Sequence, residues 1–244
     1  EKMTRIYDAH AHLGSEAERR VRREQDIVTM VCAGTPAQAE RLSEEAARNA
    51  NIFPAAGLHP WHCDKCSAEE MRPFLEQVPV IGEIGLDSVW CQVPMEIQRR
   101  AFEAQLDLAA QMGKPVVLHT KGMEAEIART IKKYENTYLV HWYSSMEHLE
   151  EYLALDCYFT LGPDLASNPA VRQVAERAGA DRLMVETDGF YAAVWALGEM
   201  ELSSLPGLLR GNMELAAQIK GLPPEEMALR MEKNFRAFTK TSLQ

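Results

Sequence analysis

The chain has 244 residues, 46% of them hydrophobic, and a formal net charge of −10 at pH 7. That size and composition suit a soluble globular protein, and a (β/α)8 barrel is one form that reaches about 250 residues as one unit. The acidic balance excludes the broad basic face used for non-specific attachment to nucleic acid, although bound cations would still make a local site positive.

Strand-like runs rich in Val, Ile, Leu and aromatic residues fall at 6–12, 27–32, 52–58, 80–84, 116–119, 138–141, 157–161 and 182–186. Helical signatures lie between them. Thr35-Pro36 and Asn168-Pro169 each pair an N-cap with a proline at the first helical position. Ser67 and Glu70 have the spacing of a capping box. The longest helix is expected over 96–112, with Phe102, Leu106 and Ala109 on one face and Gly113 as its stop. Two more helices are expected after the last strand, over 204–219 and 223–238. Such alternation implies parallel strands joined by right-handed crossovers. Eight units favour a closed TIM barrel over an open doubly wound sheet, and no G-x-G-x-x-G turn follows the first strand. One domain over 1–244, with extra C-terminal helices, is the expected architecture.

No apolar run approaches the ~20 residues of a membrane span, so no membrane association is expected. The first residues, Glu1-Lys-Met-Thr-Arg-Ile6, lack the apolar core of a secretory leader, which makes a cytoplasmic setting the expectation. Five scattered cysteines do not form a disulfide framework, and Cys63-Asp-Lys-Cys66 has no second pair to complete a zinc site. It reads as a loop carrying two reduced thiols. No obligate protein partner is evident.

In the run from Val80 to Asp87, the carboxylate of Glu83 interrupts apolar residues that read as a buried strand. A buried charge must be paired, protonated or bound to metal, and Gly82 and Gly85 are expected to clear bulk from around it. In a barrel the active site lies where strands end. There the sequence puts His10 and His12, two apart and so on one face, with His119, His141 and Asp188 at other strand ends. Four histidines and two carboxylates are too many for one tetrahedral zinc with an open position. They suit two divalent ions, Zn, Mn, Co or Fe, with Mg also open, bridged by Glu83.

Asp8-Ala-His-Ala-His12, Gly57-Leu-His-Pro60, Gly82-Glu-Ile-Gly-Leu-Asp87, Pro115-Val-Val-Leu-His119, His141 and Glu186-Thr-Asp188 resemble, in order and spacing, the motifs of the TatD family of metal-dependent deoxyribonucleases. The resemblance implies a TIM barrel, two divalent cations and hydrolysis of phosphodiester bonds, typically in DNA from the 3′ end, with single-stranded or frayed ends as substrate. It implies His10, His12, Glu83 and Asp188 as ligands of one ion and Glu83, His119 and His141 as ligands of the other. His59 matches the substrate-facing histidine.

In chemical terms, Asp188 would orient the attacking water and take its proton. His59 and Lys121 would grip non-bridging oxygens, and His59 has the further option of protonating the leaving group. Asp87 and Asp8 are candidates to orient a ligand histidine, or simply to make a salt bridge. Thr120-Lys121, Trp142-Tyr-Ser-Ser145 and Gly189-Phe190 depart from the family pattern at loops that shape the pocket. Those departures keep a second reading in view, a small-molecule amidohydrolase or phosphoesterase on the same binuclear site. Trp61, Trp90, Trp142, Tyr143 and Tyr191 are expected in loops on the active-site side, where each would either stack on bases or pack within its loop.

Overall fold

Side chains branched at Cβ or aromatic pack well on a pleated surface, and eight short runs of them extend as strands. In the computed structural model, which describes residues 5–241, these are β1 (Ile6–Ala11), β2 (Ile27–Ala33), β3 (Ile52–Ala56), β4 (Val80–Gly85), β5 (Val116–His119), β6 (Tyr138–His141), β7 (Tyr158–Leu161) and β8 (Leu183–Val185). Each strand pairs in parallel with the next, in the order β1 to β8. The end of β8 returns to β1, where the Asp188 N–H donates to the His10 carbonyl at 2.9 Å. This is the TIM barrel. Residues 1–4, part of the stretch that argues against a secretory leader, lie outside the described residues.

Parallel neighbours need a crossover, and helices supply it. They are α1 (Glu16–Glu24), α2 (Pro36–Arg48), α3 (Ala68–Gln77), α4 (Met95–Met112), α5 (Glu124–Ile131), α6 (Leu149–Ala154) and α7 (Pro169–Arg177). The expected caps are in place: Thr35 and Asn168 accept backbone N–H groups at the starts of α2 and α7, and Ser67 with Glu70 closes a capping box on α3. Three helices, not the two expected, follow β8: α8 (Phe190–Leu197), α9 (Leu205–Lys220) and α10 (Pro224–Thr239). The sequence hides α8 because Gly189 offers no side-chain cap and apolar residues run all round it.

Two apolar layers fill the barrel. Inside it Tyr7, Ala9, Met30, Cys32, Val80, Val117, Leu139 and Met184 pack together, closed by Phe235 and Phe238 of α10 at the end where the strands begin. A larger cluster lies between the outer faces of the strands and the helices. With one end plugged, the other is left for polar residues. None of the described helices is long and apolar enough to cross a membrane.

Candidate metal centre

Two breaks in strand regularity build the centre. On β1, Tyr7 and Ala9 face the interior, so strict alternation would send His10 outward. The pairing with β2 shifts register between Asp8 and Ala11, and His10 turns inward instead, fully buried. On β4 the register against β5 shifts between Ile81 and Ile84, and Glu83 points into the same space. Such irregularities re-aim single side chains. Gly82 and Gly85 clear room for β5 rather than for the carboxylate: a β-carbon on Gly82 would stand 2.5 Å from Val117 Cβ, and one on Gly85 would collide with the His119 carbonyl.

The two oxygens of Glu83 serve different groups. Oε2 faces His10 Nε2 at 3.2 Å and His12 Nε2 at 3.3 Å, and Asp188 Oδ1 lies 3.2 and 3.1 Å from the same two nitrogens. Oε1 faces His141 Nε2 at 2.9 Å, His119 Nδ1 at 3.0 Å and His59 Nε2 at 3.2 Å. Donors about 2.0–2.2 Å from one ion in a tetrahedron stand roughly 3.3–3.6 Å apart, close to these separations. His10 Nε2, Glu83 Oε2 and Asp188 Oδ1 are buried with no hydrogen-bond partner among the described residues. These residues fit a divalent cation.

Each imidazole is oriented through its other nitrogen, the usual support for a ligand. His12 Nδ1 lies 3.1 Å from the Cys32 carbonyl, His119 Nε2 2.9 Å from Asp87 Oδ2, and His141 Nδ1 3.3 Å from Glu186 Oε2. Glu186 in turn accepts from Thr160 at 2.7 Å. The sequence reading gave Glu186 no role. The signal was there, since Glu186 stands two residues before Asp188 and a step of two on an extended chain returns to one face.

Charge follows from the crowding. Burial pushes Glu83 up, but the histidines His141, His59 and His10 hold it well below the usual carboxylate range. Burial and His10 oppose charge on His141, yet Glu83 and Glu186 push it up to about 10. His59 goes the other way: burial lowers it to about 4, with Glu83 offsetting only part. The Trp61 backbone N–H donates to His59 Nδ1 at 3.1 Å, so in the neutral ring Nε2 carries the hydrogen. Toward Glu83, His59 is therefore a donor rather than a ligand.

Asp87 ties several parts together. Its Oδ2 accepts from the Trp61 indole at 2.7 Å as well as meeting His119, and its Oδ1 accepts the Val89 and Trp90 N–H groups, both at 2.8 Å. Burial raises its carboxyl, but His119, Trp61 and Trp90 hold it well below the usual range. Asp87→Ala should weaken metal affinity and activity together by about 10–100-fold, read by metal titration and turnover. Activity within twofold of wild type would show that His119 needs no such partner.

Asp8, by contrast, makes a salt bridge: Oδ2 meets Arg22 at 2.7 Å, away from every ligand ring. Lys121 Nζ lies 3.3 Å from Ser144 Oγ and 4.5 Å from the centroid of the Trp90 ring, with no carboxylate in salt-bridge range among the described residues. Tyr143 is not at the mouth; it is buried against Tyr152, its hydroxyl donating to the Glu147 carbonyl. Tyr191 lies at the mouth but on α8, as does Trp195, which the sequence reading passed over. All five cysteines are free, and the Cys63 and Cys66 thiols donate to the Pro60 and His62 carbonyls.

A family model described as TatD related DNase matches residues 7–240. The 3'-5' ssDNA/RNA exonuclease TatD of Pantoea vagans is 29% identical over 242 residues, covering 91% of this chain and 92% of that protein. YabD of Bacillus subtilis, described as an uncharacterized metal-dependent hydrolase, is 27% identical over 75% of this chain and 79% of that one. Among solved structures, a TatD homolog from Escherichia coli K12 superposes with a TM-score of 0.83 at 23% identity, covering 98% of this chain and 99% of that one, a likeness that speaks to the fold.

Proposed function

This chain belongs to the TatD-related DNase family of metal-dependent hydrolases, and from that premise we propose that it cleaves phosphodiester bonds of single-stranded or frayed nucleic acid from the 3′ end. The observation that carries the reading is the split of Glu83, one oxygen for each of two ligand groups. His10, His12, Glu83 and Asp188 would hold one cation, and Glu83, His119 and His141 the other. Zinc, manganese and magnesium are all compatible with such donors. Bound there, the pair supplies Lewis acidity for the phosphoryl oxygens and an activated water.

The chain's own residues do the rest. Of the two acids, Asp188 is the one solvent reaches, its side chain 19% exposed against 3% for Glu83. Asp188 therefore takes the proton as water attacks phosphorus and the bond to the leaving oxygen breaks. His59, neutral and carrying its hydrogen on Nε2, suits a grip on a non-bridging oxygen better than proton delivery to the leaving group. Lys121, with no carboxylate in salt-bridge range among the described residues, would hold a second oxygen as a point charge. Lys121→Ala should raise KM for a single strand about tenfold with kcat nearly unchanged. A loss confined to kcat would move Lys121 to the transition state.

The deciding experiment incubates the protein with end-labelled single strands of DNA and RNA in Mg2+, Mn2+ or Zn2+, beside a panel of small phosphoesters and amides. Laddering from the 3′ end, absent in Asp188→Asn and after chelation, is the expected result. One observation favours the small-molecule reading: five carboxylates and a single lysine line the cavity, a poor match for a polyanion. Turnover of a small ester with intact strands would establish it.

A further inference from the structure

A strand must be held by something in a cavity whose only Lys or Arg, among the described residues, is Lys121. Cations held by Glu83 and its histidines would take the phosphate being cut, but the flanking nucleotides need other partners. Phosphate neutralisation, the usual source of affinity, is scarce here.

The cavity, about 680 Å³, offers aromatic faces instead. The chain contains four tryptophans, and all four line it. They form an unbroken arc of edge-to-face contacts: Trp61 to Trp90 at 6.5 Å between ring centres, Trp90 to Trp195 at 5.7 Å, and Trp195 to Trp142 at 6.2 Å. The ends of the arc are pinned, since the Trp61 indole donates to Asp87 at 2.7 Å and the Trp142 indole to Asp164 at 2.9 Å. The middle is open, with Trp90 46% and Trp195 69% exposed.

Core packing accounts for Trp142 but not for Trp90 and Trp195, which stand exposed. Large apolar side chains seldom stand in water side by side unless they meet a ligand. Trp142, next to His141, holds a left-handed backbone with φ of +44°, which a bulky residue rarely adopts. Its indole also fills the room where Gly162 has no side chain, and any β-carbon there would collide with it. Asp87 holds His119 and Trp61 with the same oxygen, so one end of the arc is fixed relative to the metal centre.

We propose that Trp61, Trp90, Trp195 and Trp142 form a stacking wall for the unpaired bases next to the phosphate being cut. This rests on the phosphodiesterase reading and deepens it: the substrate is a strand whose bases are free to stack, DNA or RNA, and duplex is excluded until it frays. Stacking is tolerant of sequence because every base has a π-face. Lys121 Nζ, 4.5 Å from the centroid of the Trp90 ring, sets a positive charge beside this wall.

Because every tryptophan of the chain lies in the wall, intrinsic tryptophan fluorescence reports this surface alone. The test titrates Asp188→Asn protein, in Mg2+, with a short oligothymidylate and with an abasic strand of equal length. The base-bearing strand should quench at about tenfold lower concentration, the worth of a stacked base. Trp195→Ala, a change at a mostly exposed position, should reduce that preference to about twofold. Equal half-saturation by the two strands overturns the wall, as does a tenfold preference that survives in Trp195→Ala. If the wild-type protein cleaves no phosphodiester yet the preference holds, the wall stands and the assigned reaction falls. Cleavage of base-bearing and abasic strands alike, with no preference in quenching, does the reverse.

Discussion

Glu83→Ala should strip the proposed pair of cations at once and lower activity about 10³-fold or more, since preorganised charge is usually the largest share of such catalysis. Three imidazoles converge on Oε1 and two on Oε2, so the carboxylate of Glu83 is shared by both groups. Removing the carboxylate also leaves those rings crowded together, His10 and His141 at 4.0 Å between centres, with one fewer negative charge to offset any cation. Elemental analysis should fall from two ions per chain to less than one. Two equivalents retained in the variant would refute the bridge. Glu83→Gln keeps the shape and loses the charge, so its metal content separates the two contributions.

The largest loss of stability should come from a residue outside the cavity chemistry. Arg22 is buried and meets Asp8 at 2.7 Å and Glu18 at 2.9 Å, and it also donates to Thr29 and Thr187. Arg22→Met leaves two buried carboxylates with no cation between them. Breaking a buried pair this way costs about 3–5 kcal/mol. At this chain length that lowers Tm by roughly 6–20 °C. Thermal unfolding measures it, and a Tm within about 2 °C of wild type would mean that water replaces the guanidinium. Activity should fall as well, because Thr187, whose hydroxyl also donates to Asp8 at 2.6 Å, sets the position of Asp188.

The gathering of histidines and acids at strand ends was legible in the sequence, and the direction of each side chain was not. Histidine and acid at strand ends are a property of residue type and periodicity, and both can be read along a chain. That His10 faces inward depends on a register shift against β2, a relation between strands that no local pattern encodes. The same holds for Glu83 and β5. Asp8 is the weaker of two sequence candidates to orient a ligand, Asp87 being the other. What separates them is Arg22, fourteen residues away on α1, and only the fold brings it there. α8 was missed for a local reason, the lack of a cap and of a polar face, and Trp195 was missed with it. Tyr143 was placed at the mouth because its neighbours are there, yet its side chain turns into the core.

Two of the histidine donors, His10 and His12, lie on the first strand and just past its end, and Asp188 lies just past the last strand. On the proposed ligand set, the ion shared by His10, His12, Glu83 and Asp188 therefore has no complete site until synthesis has passed Asp188 and the barrel has met its own beginning. Contacts so distant in sequence form slowly. Maturation of the enzyme is thus gated by the final seam, and a protease that loosened β1 would silence the active site without cutting anything in it.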